Sequence, residues 1–310
     1  MSNNYTILCY HGVTNTVSKG IENFSGKHII KKIFTKQILY LKKNCFIISV
    51  DEAINCIKNK IPFKKNSVSI TFDDGFENNF TIALPILRKY GIPATFYICP
   101  MNIEKKKIFW VDKIEGCINY STKSKIELFL DKYRTFFLKS NKSKIKVVNF
   151  IKSFCKKTSN KKKNSVIKQL VNQTAVRPDQ SSSKNYRIAS WSLIRQITKS
   201  KLFTIGGHSL EHTILTKISI KEADKDIKTT INLIKKRTNY RIKHFSYPEG
   251  QHEHYNKFII KNLKNNGIIS CPTAISGKNS LNTNPFHLKR IMVGFNNIKL
   301  PNFSKKRNYL

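Results

Sequence analysis

The chain has 310 residues, 57 of them Lys or Arg and 18 Asp or Glu, for a formal charge of +39. Such a surface favours polyanions (nucleic acid, anionic headgroups, a phosphate-bearing substrate), although the accompanying Asn and Ile excess is also what an AT-rich coding sequence writes. At 40% hydrophobic residues one large core is affordable; seven scattered Cys with no Cys-x-x-Cys pair argue against a disulfide framework or zinc ribbon and for a reduced compartment.

In chain order, Thr6 to Tyr10 reads as a buried strand closed by His11-Gly12. The spacing of Phe34, Ile38 and Leu41 predicts a short helix, Phe46 to Ser49 a strand, and Ala53 to Ile57 a helical turn. Val68 to Phe72 is an apolar run ending in Asp73-Asp74-Gly75, two adjacent carboxylates that repel unless a cation or a shared proton compensates. Leu84 to Tyr90 reads as a helix with Pro85 in its first turn and Gly91 as its stop, and Ala94 to Ile98 as a strand. From about 101 to 187 the texture becomes Lys-rich and Gly-poor. Periodic apolar residues at Ile126, Phe129, Leu130, Tyr133 and Phe137, then at Val147, Phe150, Ile151 and Phe154, predict an inserted helical segment. Within it Lys161 to Lys163 is expected to be a solvated loop, and Gln180 to Ser183 a linker.

After the insertion Ser190 caps a predicted helix to Ser200. Strands at Leu202 to Ile205, His244 to Tyr247 and Gly267 to Cys271 then alternate with helices at Lys221 to Lys236 and Asn256 to Lys264. This alternation predicts a parallel α/β sheet or barrel, in which every strand's C-terminal end opens on one face. His11, Asp73, Asp74, His208 and the turn Tyr247-Pro248-Glu249-Gly250 each follow an apolar run, so they converge on that face. No run of about 18 apolar residues is present, and Met1 to Tyr5 lacks a charged region leading into an apolar core, so neither a membrane span nor a cleaved export signal is expected.

Asp74 with His208 and His212, two His four apart on one helical turn, supply a three-ligand metal set with open positions, suited to zinc and also to ferrous iron. The neighbouring Asp73 is then free to take a proton from water acidified by the ion, and a backbone N–H of the turn at 247–250 to meet an oxyanion. Metal-assisted hydrolysis of an amide or ester is the chemistry this combination supports.

Thr71 to Gly75, His208 to His212 and Phe245 to Gly250 resemble the first three motifs of the polysaccharide deacetylases, the NodB-homology or carbohydrate esterase family 4 group. Tyr10-His11, Ala83 to Leu87, Ile92 to Phe96, Phe109-Trp110 and Pro285 to Ile291 extend the likeness over most of the chain. The resemblance implies a single domain over 1–310, a distorted (β/α) barrel carrying the helical insertion, that removes N-acetyl or sometimes formyl groups from amino sugars. It implies Asp73 as base and Asp74, His208 and His212 as ligands of a divalent metal. Two departures stand out: Ser246 occupies the position from which many members supply an Arg to steady the base, and Glu249 replaces an aromatic. The usual C-terminal Leu-x-His is missing as well, and Tyr10-His11 resembles the acid-bearing pair of circularly permuted members, which makes His11 the candidate general acid. Of the remaining His, His28 is read in a polar loop, His244 within a strand, His252 and His254 in a loop, and His287 at the far end of the barrel. Expected partners are an N-acetylated amino sugar and, weakly, anionic membrane surfaces, without specific nucleic acid; the expected location is cytoplasmic or peripheral at the inner membrane face. A glycan-binding barrel without activity and a basic polyanion-binding protein are the competing readings.

Overall fold

The computed structural model describes residues 4–15, 18–295, 297 and 299–303; Met1 to Asn3, which enter the reading of the N-terminus, lie outside them. Strand β1 (Tyr5–Tyr10) is buried at every position, and past His11 the chain forms β2 (Gly12–Thr14), paired in parallel with β3 (His28–Ile30). His28 is therefore buried in a short strand, its Nδ1 2.8 Å from Asn78, rather than in a polar loop. The apolar stripe Phe34, Ile38, Leu41 lies on α1 (Lys31–Asn44), followed by β4 (Phe46–Ile47) and α2 (Val50–Asn59). Ser49 and Glu52 form a reciprocal capping box that begins α2 three residues before the expected turn. Strand β5 (Ser67–Phe72), helix α3 (Leu84–Tyr90) with its left-handed Gly91 stop, and β6 (Ala94–Ile98) stand where the sequence puts them.

The insertion differs from its reading in two respects. After α4 (Pro100–Lys105) and α5 (Trp110–Tyr120) come two antiparallel strands, β7 (Lys125–Phe129) and β8 (Tyr133–Phe137), and only then the helices α6 (Asn141–Lys157) and α7 (Asn160–Thr174). Ile126 and Leu128 point inward while Lys125, Glu127 and Phe129 point out, a period of two. The spacing of 126, 129, 130, 133 and 137 imitated a helix because the chain reverses at Asp131 and sets Phe129 opposite Tyr133. Lys161 to Lys163 lie in the first turn of α7, begun by the Ser159 cap, not in a loop. The insertion has its own core, in which Ile114, Ile118, Ile126, Leu128, Val148, Ile151 and Leu170 pack together.

The alternation then resumes with α8 (Trp191–Thr198), capped by Ser190, β9 (Phe203–Gly207), α9 (Ile220–Thr238), α10 (Lys257–Asn265) and β10 (Ile291–Met292). Every ladder of the main sheet is parallel, in the order β10-β1-β5-β6-β9, with β4 also on β5. Between β9 and β10 the ring is closed by single parallel bridges, Gly207 to Phe245, His244 to Ser270 and Pro272 to Leu288. The runs read as strands at 244–247 and 267–271 are thus reduced to single bridges, which makes the barrel a distorted one.

Candidate metal and catalytic site

At the carboxyl ends of β1, β5 and β9 the chain brings His11, Asp73, Asp74, His208 and His212 to one cleft of about 670 Å³. Asp73 leaves β5 with its amide bonded to the Tyr10 carbonyl, and Asp74 takes a left-handed conformation, φ 77°, before Gly75 at φ 84°. A carboxylate-bearing residue held at positive φ stores strain, of the kind structures keep where geometry matters. His208 follows β9 with its amide on the Ile98 carbonyl, and His212 closes the next turn at φ 57°. The segment between the two His is a turn and not helical; the pair converges because Ser209 and His212 both adopt left-handed backbone.

The ligand atoms of Asp74, His208 and His212 lie within 4.8 Å of one another, the one such trio of His, Cys, Asp or Glu among the described residues. Both His Nε2 atoms stand 3.6 Å from Asp74 Oδ1. His208 Nδ1 donates to the Ser246 carbonyl at 2.9 Å, which leaves Nε2 as the lone-pair nitrogen, the tautomer a metal requires. Asp74 Oδ1 is buried without a hydrogen-bond partner, an orphan acceptor that a cation would satisfy. Burial pushes the Asp74 carboxyl up to about 7, despite the pull of Lys27 and His208. Burial likewise holds the His208 imidazole below its usual range and brings His212 down to about 4, so both are neutral donors at pH 7. On the orphaned oxygen, the His208 tautomer and the donor types, the three residues fit one divalent transition metal.

Asp73 has a partner that the sequence reading missed. Arg290, buried just before β10, grips it through two parallel bonds, Nη1 to Oδ1 at 2.7 Å and Nη2 to Oδ2 at 2.6 Å, and donates Nε to the Thr273 carbonyl. Burial would raise the Asp73 pKa, but the guanidinium overrides it and holds the carboxyl well below the usual carboxylate range. Ser246, where an Arg was looked for, accepts from Arg290 Nη2 at 3.0 Å and lies 3.4 Å from Asp73. The guanidinium thus comes from the closing strand instead of the third motif. The sequence signal was faint: Arg290 stands beside Lys289 between apolar Leu288 and Ile291-Met292, and an Arg that such a segment buries is tolerated only if paired.

Lys27, also unforeseen, lines the cleft with its ammonium 2.5 Å from buried Asp112 and over the Phe76 ring. On the opposite wall α6 presents Asn149, Lys152, Ser153 and Lys156, one helical face. Lys152 pairs with Glu115 at 3.0 Å and Lys156 with Glu249 at 2.6 Å. Glu249, at φ 62°, thereby ties the third motif to the insertion, and Gly250 beside it cannot carry a Cβ, which would lie 2.5 Å from the Ala274 nitrogen. Tyr247 reaches the cleft, but its amide is bonded to the Pro272 carbonyl, so it is not the oxyanion donor that the turn was expected to offer. Pro248 has no N–H, and the amides of Glu249 and Gly250 remain.

His11 Nδ1 is buried without a partner and the ring stands edge-on to Phe295 at 5.0 Å. Burial brings its pKa down to about 3, with Asp73 pulling upward and Lys27 and Arg290 downward. The other His lie elsewhere. His244 is buried between Ser270 and Asp51, His254 Nδ1 accepts from the Gln251 amide, and His287 meets the Tyr255 hydroxyl at 3.2 Å. All seven Cys are unpaired, and Cys99 donates to the His208 carbonyl beneath the site.

A distorted parallel barrel with a His-His-Asp cluster beside an Arg-gripped aspartate defines the class of metal-dependent deacetylase barrels. Residues 60–269, more than half of the chain, match the family described as polysaccharide deacetylase, and the chain belongs to that family. The fold is similar to that of the Streptococcus pyogenes deacetylase PplD, solved with acetate, at a TM-score of 0.61 and 16% identity over 94% of this chain and 93% of that one. IcaB from Ammonifex degensii gives a TM-score of 0.60 at 16% identity over 94% and 92%. A poly-beta-1,6-N-acetyl-D-glucosamine N-deacetylase of Staphylococcus aureus is 35% identical over 97 residues, 31% of this chain and 32% of that protein. The chain spans about a third of the length of the curated relatives it matches.

Proposed function

We propose that the protein is a metal-dependent hydrolase that removes N-acetyl groups from an amino sugar, acting as one deacetylase domain interrupted by its insertion. The observation that carries this reading is the Asp74, His208, His212 trio at the floor of a cleft beside the Asp73–Arg290 pair. A divalent ion held by those three, zinc on its nitrogen and oxygen donor set, would polarise the acetamide carbonyl and acidify water at the site. Asp73, kept ionised by Arg290, takes the proton as water attacks the carbonyl carbon. The amides of Glu249 and Gly250 are the donors for the developing oxyanion. His11, neutral in the free protein, takes up a proton from solvent as the tetrahedral carbon adds negative charge nearby and delivers it to the sugar nitrogen as the carbon–nitrogen bond breaks; the proton held by Asp73 returns to solvent when the products leave. Release of acetate from N-acetylglucosamine oligomers, abolished by a chelator and restored by zinc, tests the reading; release unaffected by thorough chelation overturns it.

The cleft speaks against a basic polyanion-binding role for this face. Five of the 18 acidic residues, Asp73, Asp74, Asp112, Glu115 and Glu249, line it, and its three Lys are each bonded to a carboxylate. A neutral sugar, whose hydroxyls both donate and accept, suits such a wall. The finer expectations, a lipid- or nucleotide-linked precursor of a surface glycan and action at the inner membrane face, are part of this proposal. Among the described residues no helix is long and apolar enough to cross a membrane.

Two outcomes follow from the wall and the acid. Lys156→Glu and Glu249→Lys are each expected to raise KM for the sugar several-fold, because the half-exposed pair contributes at most about 1 kcal/mol. The double reversal recovers most of the loss; equal KM in all three would mean that the contact does not shape the cleft. His11→Ala is expected to keep the metal and to slow amide hydrolysis about 100-fold, while activated acetyl esters, whose leaving groups need little protonation, lose far less. Equal loss on both substrates would make His11 a structural residue.

A further inference from the structure

The β7–β8 hairpin leaves one face bare. Its inward residues Ile126 and Leu128 join the insertion core, while Phe129, Tyr133 and Phe137 project outward at 42%, 70% and 55% exposure. Aromatic side chains left in water on one ribbon are costly unless something covers them. Around them stand exposed Lys123, Lys125, Lys132 and Lys139 against two acids, Glu127 and Asp131, while Arg134, opposite inward Leu128, lies on the other face over the Phe150 ring. The Lys162 ammonium lies over the Phe129 ring, 4.7 Å from its centroid, and that of Lys139 over Phe137 at 5.6 Å, so two of the charges rest on the rings themselves and the others stand around them.

From this juxtaposition we propose that the hairpin is an interfacial anchor that seats Phe129, Tyr133 and Phe137 in the headgroup layer of an anionic lipid bilayer. Rings with an apolar body, one bearing a hydroxyl, settle at the boundary of a bilayer, and surrounding Lys are drawn to anionic headgroups. Two alternatives fit worse. A glycan platform needs coplanar rings on which sugars stack, whereas Phe129 and Tyr133 meet at 61°. A second copy of the chain would oppose two cationic rims, and like charges across an interface are repelled. The anchor is also joined to the cleft: Phe136 of β8 packs on Phe150 of α6, and Asn149, the residue before it, lines the cleft. The inference goes beyond the hydrolase reading in naming where the surface is met, and it stands or falls separately from it.

The test is co-sedimentation of the full chain with vesicles of phosphatidylcholine, with and without phosphatidylglycerol, at low and high salt. The wild type is expected to bind only the anionic vesicles and to release as salt screens the rim. Phe129→Ser with Tyr133→Ser and Phe137→Ser is expected to bind at least about tenfold more weakly, with thermal unfolding and acetate release from a soluble substrate unchanged. Tyr133→Trp, which tests the site without deleting a ring, is expected to blue-shift its emission on those vesicles. The inference is overturned if the triple variant binds as tightly as wild type, or if the Trp emission stays put while the protein sediments. It is equally overturned if the triple substitution abolishes instead a self-association or the retention of the protein on insoluble glycan.

Discussion

His208→Ala is expected to lose the bound metal and, with it, all measurable acetate release, the largest effect of any single substitution considered. The side chain is one of three donors converging on one point, and its removal leaves Asp74 and His212 alone. Two protein ligands bind a divalent ion far more weakly than three, and the loss of the ion takes with it the polarisation that the reaction depends on. Asp74→Ala and His212→Ala should behave alike, with metal analysis as the readout and full occupancy in any of them counting against the trio. The pH dependence of loading carries the same signature. Without the ion, burial puts the Asp74 carboxyl near 7, so binding has to displace a proton and should strengthen as pH rises through that value. The sign for stability is the reverse of the usual aspartate. A folded pKa raised above the unfolded value near 3.9 means that the metal-free protein loses stability as pH rises from about 4 to about 7. The loaded protein, its Asp74 charge compensated, should not, so the unfolding midpoints of the two forms separate across that window.

The site was legible where a strand delivered a side chain to its own end. Asp73 and Asp74 after β5, His208 after β9 and His11 after β1 needed only the alternation of strands and helices to be placed together. What the sequence hid came by another route. Arg290 and Lys27 arrive from segments whose residues near the cleft follow no strand end, and their roles depend on partners more than 80 residues away, Asp73 and Asp112. Lys27 in particular is one of many Lys, and nothing local separates a buried ion pair from a solvated charge. Helix limits were legible at Ser190 and Gly91, whereas the caps at Ser49 and Ser159 went unread, the first at the end of an apolar run and the second inside a Lys run. The hairpin was misread because bulky residues on both sides of a tight reversal reproduce a three-and-four spacing, and only the pairing of Phe129 with Tyr133 reveals the period of two. His208 and His212 were correctly paired on an incorrect backbone: the same ligand separation is reached by two left-handed residues in a turn.

The contrast between Asp73→Asn and Arg290→Met separates the base from the group that holds it. Asp73→Asn preserves shape and leaves the trio intact, so metal should remain bound while turnover falls by about 100- to 10,000-fold, the range of a lost general base. Loss of metal in that variant would mean that the two adjacent carboxylates had exchanged roles. Arg290→Met acts differently because it removes the only cation bonded to Asp73 among the described residues. Burial, now unopposed by the guanidinium, drives the Asp73 pKa upward. Activity should therefore survive at high pH and fail at neutral pH, its acidic limb displaced upward, whereas Asp73→Asn should be slow at every pH. Stability follows the same logic. In the wild type the folded Asp73 pKa lies below the unfolded value near 3.9, so its contribution is present above that value and lost as pH falls further. Arg290→Met removes that contribution and strands a buried carboxylate, a change that costs about 3 to 5 kcal/mol when one partner of a buried pair is deleted. Denaturant unfolding at neutral pH should show that loss, and Asp73→Asn combined with Arg290→Met should recover part of it, because no unpaired charge remains. A pH–rate profile for Arg290→Met that superimposes on the wild type would show that Asp73 needs no partner to stay ionised.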